Sequence, residues 1–413
     1  MSSLFTLDSD ERLARLLSTD ATLHTFLCLD ESVLTAPRAS RVLAVKDNID
    51  VRGLPTTDGI RALSRTPAAD AAVVARARRA GALVLGKTNM SELAMGPVTK
   101  NRDWDETPNP FDTDRISGGS SGGSAAAIAA GFVDLALGTD TGGSGRNPAS
   151  YCGVVGFRPT AGRLPMLGVS PVSTVFDTVS PMARTAADLD WLLGALDPWN
   201  ETAAMRPLRV GIPSAFFFDS AHADVADAVA SVPAVLPDLL TPTAIDLSHA
   251  ADVLEPAGIL INAHAYAQIT DRLDESALSQ LEPQVAARIL AGKSFSANDL
   301  DGAEEVRAAW GSTVSKLWAN ADVILTPTTP TAAPLRTAEE EHLSIEINRF
   351  TRPWILAPTP ALSFPVGMTR AGLPIGAQLI GPPHSDRLLV ALVGAFQERT
   401  DWHQLTSARG LQP

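Results

Sequence analysis

The chain has only two cysteines, Cys28 and Cys152. That number excludes a disulfide framework and fits a reducing compartment, with each thiol serving as a small buried hydrophobe. Long hydrophobic runs are also missing. No stretch approaches the roughly 18 apolar residues of a membrane span. Met1 to Asp20 mixes charge with short apolar stretches, unlike the core of a signal peptide. Positive charge is scarce, 33 Lys and Arg against 46 Asp and Glu, for a net charge of −13. This argues against capture of nucleic acid, which needs clustered basic residues. The seven histidines are scattered, and none stands in a catalytic context. No linker, low-complexity tract or repeat divides residues 1–413, so one elaborated domain is expected. These absences fit a cytoplasmic protein, and no metal or organic cofactor is expected.

What is present begins with RVLAVKDNIDV (41–51), a short apolar strand running into a polar turn. DAAVVARARRA (70–80) has helical spacing, with Asp70 placed as a cap and Gly81 as the stop. ALVLGKTN (82–89) is a second strand. That β-α-β order favours parallel pairing and an α/β layer fold. SGGSSGGS (117–124) breaks the pattern, and a helix of small residues, AAAIAAG (125–131), follows it. FVDLALGTD (132–140) is a third strand, ending in a second glycine-rich turn, TGGSG (141–145). From about 195 to 320 the pattern predicts helix. ILTPTTPTAAP (324–334), ALSFPVG (361–367) and LPIGAQLIGPP (373–383) read as closing strands, and DRLLVALVGAFQER (386–399) as a final helix.

Two motif matches fail on physical grounds. Gly81 to Thr88 fits the phosphate-loop expression, but its four loop positions are Ala82, Leu83, Val84 and Leu85. An apolar run of that kind forms a buried strand and cannot turn its N–H groups around an anion. The GGSSG at 118–122 fits a nucleophile elbow, yet the lead-in NPFDTDRIS is polar where an apolar strand is needed.

The two Gly/Ser-rich turns flank one helix-strand unit. Glycine-rich backbone is used where a chain must turn tightly or approach a ligand closely. The second turn offers consecutive N–H groups from Thr141, Gly142, Gly143 and Ser144, which suits an oxyanion. A serine nucleophile needs a base, and without a convincing histidine lysine is the candidate. Lys46 ends an apolar strand beside Asp47. Strand neighbours point to opposite faces, so Asp47 need not pair with Lys46. A free lysine titrates near 10.4, whereas a base useful at neutrality titrates at roughly 7 to 8. Burial can supply that shift only if no carboxylate holds the proton. A structural ion pair is the competing role for Lys46.

Residues 118–163, with AVKDNI (44–49), GKTNMSELAMG (86–96), FDTVSPMART (176–185), ILTPTTPT (324–331) and LPIGAQLIGPP (373–383), resemble the amidase signature family. Several separate motifs occur in order, from about residue 40 to the C-terminus, most weakly between 195 and 320. The resemblance implies a three-layer α/β/α fold with a mixed central sheet covered by helices on both faces. It implies a catalytic core at about 40–190 and 320–400, with a variable helical substrate-side region at about 195–320. It assigns Ser144 as nucleophile, Ser120 as a bridging serine after a cis peptide bond, and Lys46 as base. Thr141, Gly142, Gly143 and Ser144 correspond to the oxyanion hole. Asp140 and Arg146 correspond to braces of the nucleophile loop, and Ser121 to a hydroxyl within the network. The implied activity is hydrolysis of a non-peptide C–N amide bond of a small substrate through an acyl-enzyme. The alternatives are the A subunit of a glutamine-dependent tRNA amidotransferase, against which the short chain counts, and an allophanate-type hydrolase of urea derivatives. Association as a homodimer stays open. Gly145 replaces a branched residue common in the family, which would widen the pocket or loosen the loop. Variable segments within 165–180 and 300–355 are expected to shape the pocket, with Met166, Phe176 and Trp354 as candidate lining residues.

Overall fold

Strand Val42–Lys46 is buried along its whole length, as its unbroken apolar sequence requires. The computed structural model describes residues 9–35, 41–198 and 205–404. Among them eleven strands form one mixed sheet. Across the sheet the order is Phe26–Leu29, Leu83–Thr88, Val42–Lys46, Leu135–Asp140, Thr178–Ala183, Val155–Arg158, Ala361–Met368, Pro374–Ile380, Val323–Pro327, Leu208–Pro213 and Leu240–Ile245. Val42–Lys46 runs parallel to both of its neighbours, Leu83–Thr88 and Leu135–Asp140. The expected β-α-β unit is therefore present. Leu135–Asp140 then pairs antiparallel with Thr178–Ala183, which makes the sheet mixed.

Helices cover both faces, giving the three-layer α/β/α arrangement. Leu43 and Val45 join the core formed with helices Ala72–Arg79, Ala186–Leu196 and Asp386–Gln397. Val42 and Ala44 face the opposite core, with helices Ser9–Leu23 and Gly122–Ala129. Alternation along the strand sends Lys46 to this second side. The helix Gly122–Ala129 is buried at every position, and its small residues are a steric requirement. A Cβ on Gly122 would collide with Thr99 and Ser117, and one on Gly123 would sit 2.5 Å from the Asn89 carbonyl.

Two expectations need correction. The segment 195–320 is not purely helical, since Leu208–Pro213 and Leu240–Ile245 pair in parallel at one end of the sheet. Their alternation is blurred by proline and threonine, and Leu240–Ile245 buries only its two end residues fully. Asp70 does not cap helix Ala72–Arg79; Ala71 holds that position without a side-chain bond. The Asp70 carboxylate instead accepts the Arg52 backbone N–H at 2.8 Å. The rejected phosphate loop is a strand, as expected, and its Lys87 is buried against Asp47, Pro55 and Thr56.

Candidate active site

The parallel strands Val42–Lys46 and Leu135–Asp140 finish side by side, and ligands of open α/β sheets lie beyond such carboxyl ends. Lys46 is wholly buried. Its Nζ stands 2.8 Å from Ser120 Oγ and 2.7 Å from Thr139 Oγ1. Ser120 follows a cis peptide bond from Gly119, as the family resemblance implied. A Cβ on Gly119 would lie 2.7 Å from the backbone of Pro97 and Val98, so glycine is required at this crossing. Asp47 turns away from Lys46. It faces Lys87 at 3.5 Å and accepts hydrogen bonds from Thr57 and Gly59. Among the described residues no carboxylate forms an ion pair with Lys46, and burial pushes the amine down from its ordinary 10.5 to about 7, against the opposing pull of Asp140, Asp177 and Asp58.

The turn after Asp140 carries Ser144. Ser121 joins the two glycine-rich segments: its N–H donates to the Ser144 carbonyl at 3.2 Å. Its hydroxyl donates to the Thr139 carbonyl at 3.1 Å. Ser144 is half-buried and lines a cleft together with Thr141 and Gly142. Gly143 is not among the residues that line it. Its N–H donates to Asp140 Oδ1 at 3.0 Å, so that donor braces the turn. Gly143 has φ +133°, and a Cβ there would collide with Thr351.

Asp140 also accepts the N–H groups of Gly145 and Arg146. Two arms of the Arg146 guanidinium grip its carboxylate at 2.9 and 3.1 Å. Arg158, which sequence reasoning missed, adds a contact of 3.3 Å to the carboxylate and 2.6 Å to the carbonyl. Burial alone would raise this carboxyl, but Arg146 and Arg158 outweigh it and hold it well below the usual range. Arg146 is anchored in turn on Gln378 and the Thr351 carbonyl. No local signal marked Arg158, Thr139 or Gln378, because their partners lie 18 or more residues away along the chain. Gly145 does not line the cleft, and a Cβ there would strike Ser180.

The cleft measures about 60 Å³ and is walled by Met95, Pro97, Ile261, Asn262, Arg288 and Arg352, among others. Val172, Ser344, Asn348 and Arg352 do come from the expected variable segments. The three named candidates do not line it. Phe176 and Trp354 are buried in the core beside helix Leu254–Thr270, and Met166 packs against the larger core. Large apolar side chains gain more by leaving water than by facing a cleft. Among the described residues no cluster of side chains could hold a metal ion, and no helix is long and apolar enough to cross a membrane.

The family model "Amidase" matches residues 39–390. The A subunit of a Glutamyl-tRNA(Gln) amidotransferase from Chloroflexus aurantiacus is 35% identical, over 95% of this chain and 92% of its own length. Among solved structures, an amidase superposes with a TM-score of 0.84 at 30% identity, covering 96% of both chains. A protein of a vestigial complex, tied to the origins of an s-triazine catabolic enzyme, reaches 0.86 at 28% identity, over 96% of this chain and 95% of its own. The chain belongs to the amidase family.

Proposed function

We propose that this chain cleaves the C–N bond of a small amide with Ser144 as nucleophile and Lys46 as the base, acting through Ser120. The observation that carries the reading is the buried amine at position 46, 2.8 Å from the Ser120 hydroxyl and, among the described residues, without a carboxylate partner. An amine that titrates at about 7 is half neutral at physiological pH, the condition for accepting a proton in the forward step.

The steps run as follows. Ser144 Oγ bonds to the substrate carbonyl carbon, its proton passes to Ser120, and the Ser120 proton passes to Lys46. Negative charge on the carbonyl oxygen is met by N–H groups of the 141–144 turn, with Gly143 excluded by its bond to Asp140. The C–N bond then breaks, and the proton on Lys46 returns through Ser120 to the leaving amine. Water attacks the acyl-enzyme, gives its proton to the same relay, and releases the acid with Ser144 restored. Asp140, Arg146 and Arg158 keep the turn in shape. The cleft of about 60 Å³ is about four to six times what one water needs, which favours a small substrate.

A second setting for the same chemistry is favoured by the curated relatives, which are named as subunits of an amidotransferase. Chain length does not oppose it, because the alignment spans 92% of such a relative. There the ammonia would be handed on to an acceptor, and the chain would work within an assembly.

Treatment with a fluorophosphonate should label Ser144, read by mass spectrometry, and Ser144→Ala should remove both label and activity. Labelling at Ser121 or Ser124 would overturn the assignment. A panel of aliphatic, aryl and urea-type amides, given to the chain purified alone, separates the settings. Steady turnover by the lone chain contradicts the assembly reading; turnover only once partner chains are present supports it.

A further inference from the structure

Two guanidiniums line the cleft beside Ser144, and the proton relay uses neither. Arg288 comes from helix Pro283–Ala291 and donates Nη1 to the Met95 carbonyl at 2.7 Å. Arg352 opens the turn Arg352–Ile355, and its Nε is buried without a hydrogen-bond partner. Among the described residues no carboxylate lies within ion-pairing reach of Arg352. Glu255 and Asp299 line a neighbouring cleft that shares it, and neither pairs with it. Burial, and then the nearby charge of Arg288, bring Arg352 down to about 10. It therefore remains a cation at neutral pH.

A guanidinium nitrogen cut off from water without an acceptor is costly, and proteins usually pair such groups. The wholly buried arginines of this site, Arg146 and Arg158, share Asp140. Arg352 is half-buried, has no such partner among the described residues, and lines the cleft. The whole chain carries a charge of −13, which repels an anionic ligand at a distance. Salt screens that field within roughly 8 Å, so close-range cations decide the outcome inside the cleft. A planar guanidinium matches a carboxylate through two parallel hydrogen bonds.

We propose that Arg352 is a specificity-determining residue that receives a carboxylate on the substrate, so that the enzyme takes short amides carrying a free acid group in preference to neutral ones. This rests on the assignment of Ser144 as nucleophile, because the two residues share one small cleft. Arg288 supplies the second positive charge, and the size of the cleft restricts the spacer to a few carbons.

The test compares kcat/KM for succinamate, N-acetylglycine and neutral butyramide, with the wild type and with Arg352→Gln. The first acid bears its carboxylate on the acyl side, the second on the leaving side. One of them should exceed butyramide by about 10- to 150-fold, the range of a charge-assisted pair. Arg352→Gln should erase that preference mainly through KM, and Arg352→Lys should restore part of it. Succinate binding, measured by calorimetry, should weaken by at least about tenfold in Arg352→Gln. Equal treatment of all three amides, a parallel loss on all three, or unchanged succinate binding each overturns the proposal. If succinate binds through Arg352 while Ser144 takes no fluorophosphonate, the anion site stands and the nucleophile assignment falls.

Discussion

Replacing Lys46 by methionine should inactivate the protein and make it more stable, and the gain in stability should shrink as pH rises. The amine is wholly buried, and burial lowers it from 10.5 to about 7. An unfolded lysine keeps its proton up to its ordinary value. Between those two values the unfolded chain therefore binds more protons than the folded one, and wild-type stability rises with pH. Below the folded value both states are protonated, and the penalty for burying the charge has its full size. At about 1.4 kcal/mol per tenfold, the difference corresponds to about 5 kcal/mol. Methionine removes this penalty but loses the contacts to Ser120 and Thr139, at about 1 kcal/mol each. The expected advantage of Lys46→Met is about 3 kcal/mol near pH 6, falling by about 1.4 kcal/mol per pH unit above 7 and vanishing near pH 9. Urea denaturation of both proteins across that range measures it. The rate of the wild type should rise through about pH 7, because only the neutral amine accepts a proton. A stability difference that is flat, or that grows with pH, would refute the reasoning, because Lys46 would then keep its proton in the folded state.

Asp140→Asn should leave two buried guanidiniums without their counter-charge, at about 3–5 kcal/mol. For a chain of this length that is a fall of roughly 3–6 °C in Tm, read by calorimetry, and an unchanged Tm would contradict the bracing role. Gly143→Ala should lower kcat/KM by roughly 100-fold, because its Cβ meets Thr351 and its φ of +133° is strained for any side chain. Activity near wild type would show that the turn relaxes freely.

The chemistry of this chain was legible where glycine and serine break the hydrophobic pattern. SGGSSGGS and TGGSG stand out because no packing pattern demands them, and both lie at the site. Lys46 was legible because an apolar strand ending in a lysine asks for a reason. The cleft walls were not. Met95, Ile261, Arg288 and Arg352 come from segments far apart in the chain, and each looks ordinary in its own window. Trp354 carried the opposite error, since an aromatic in a variable segment suggests a pocket. The structure stacks it on Phe217 at 5.6 Å, inside the core. Strand Leu240–Ile245 was missed because an edge strand needs little apolar alternation to pair.

How one sheet holds two buried lysines in different surroundings follows from where the acids go. Lys46 and Lys87 lie on adjacent parallel strands. Asp47 follows Lys46 directly in sequence, yet it turns to Lys87, with Thr57 and Gly59 donating to it as well. Lys87 thereby keeps a carboxylate beside it, although burial still pushes its amine below the ordinary value, and Lys46 is left with hydroxyls alone. The three acids whose fields reach Lys46 are each engaged elsewhere: Asp140 by Arg146 and Arg158, Asp58 by Arg272 at 2.7 Å, and Asp177 by Thr141, Val172 and Ser173. Desolvation consequently outweighs attraction at Lys46, which is the balance a neutral amine requires. Removing the cation beside Asp58 takes one positive charge out of the surroundings of the amine. Arg272→Gln is thus expected to raise the pH at which activity appears without touching a residue of the relay, and a pH–rate profile identical to that of the wild type would sever Asp58 from this balance.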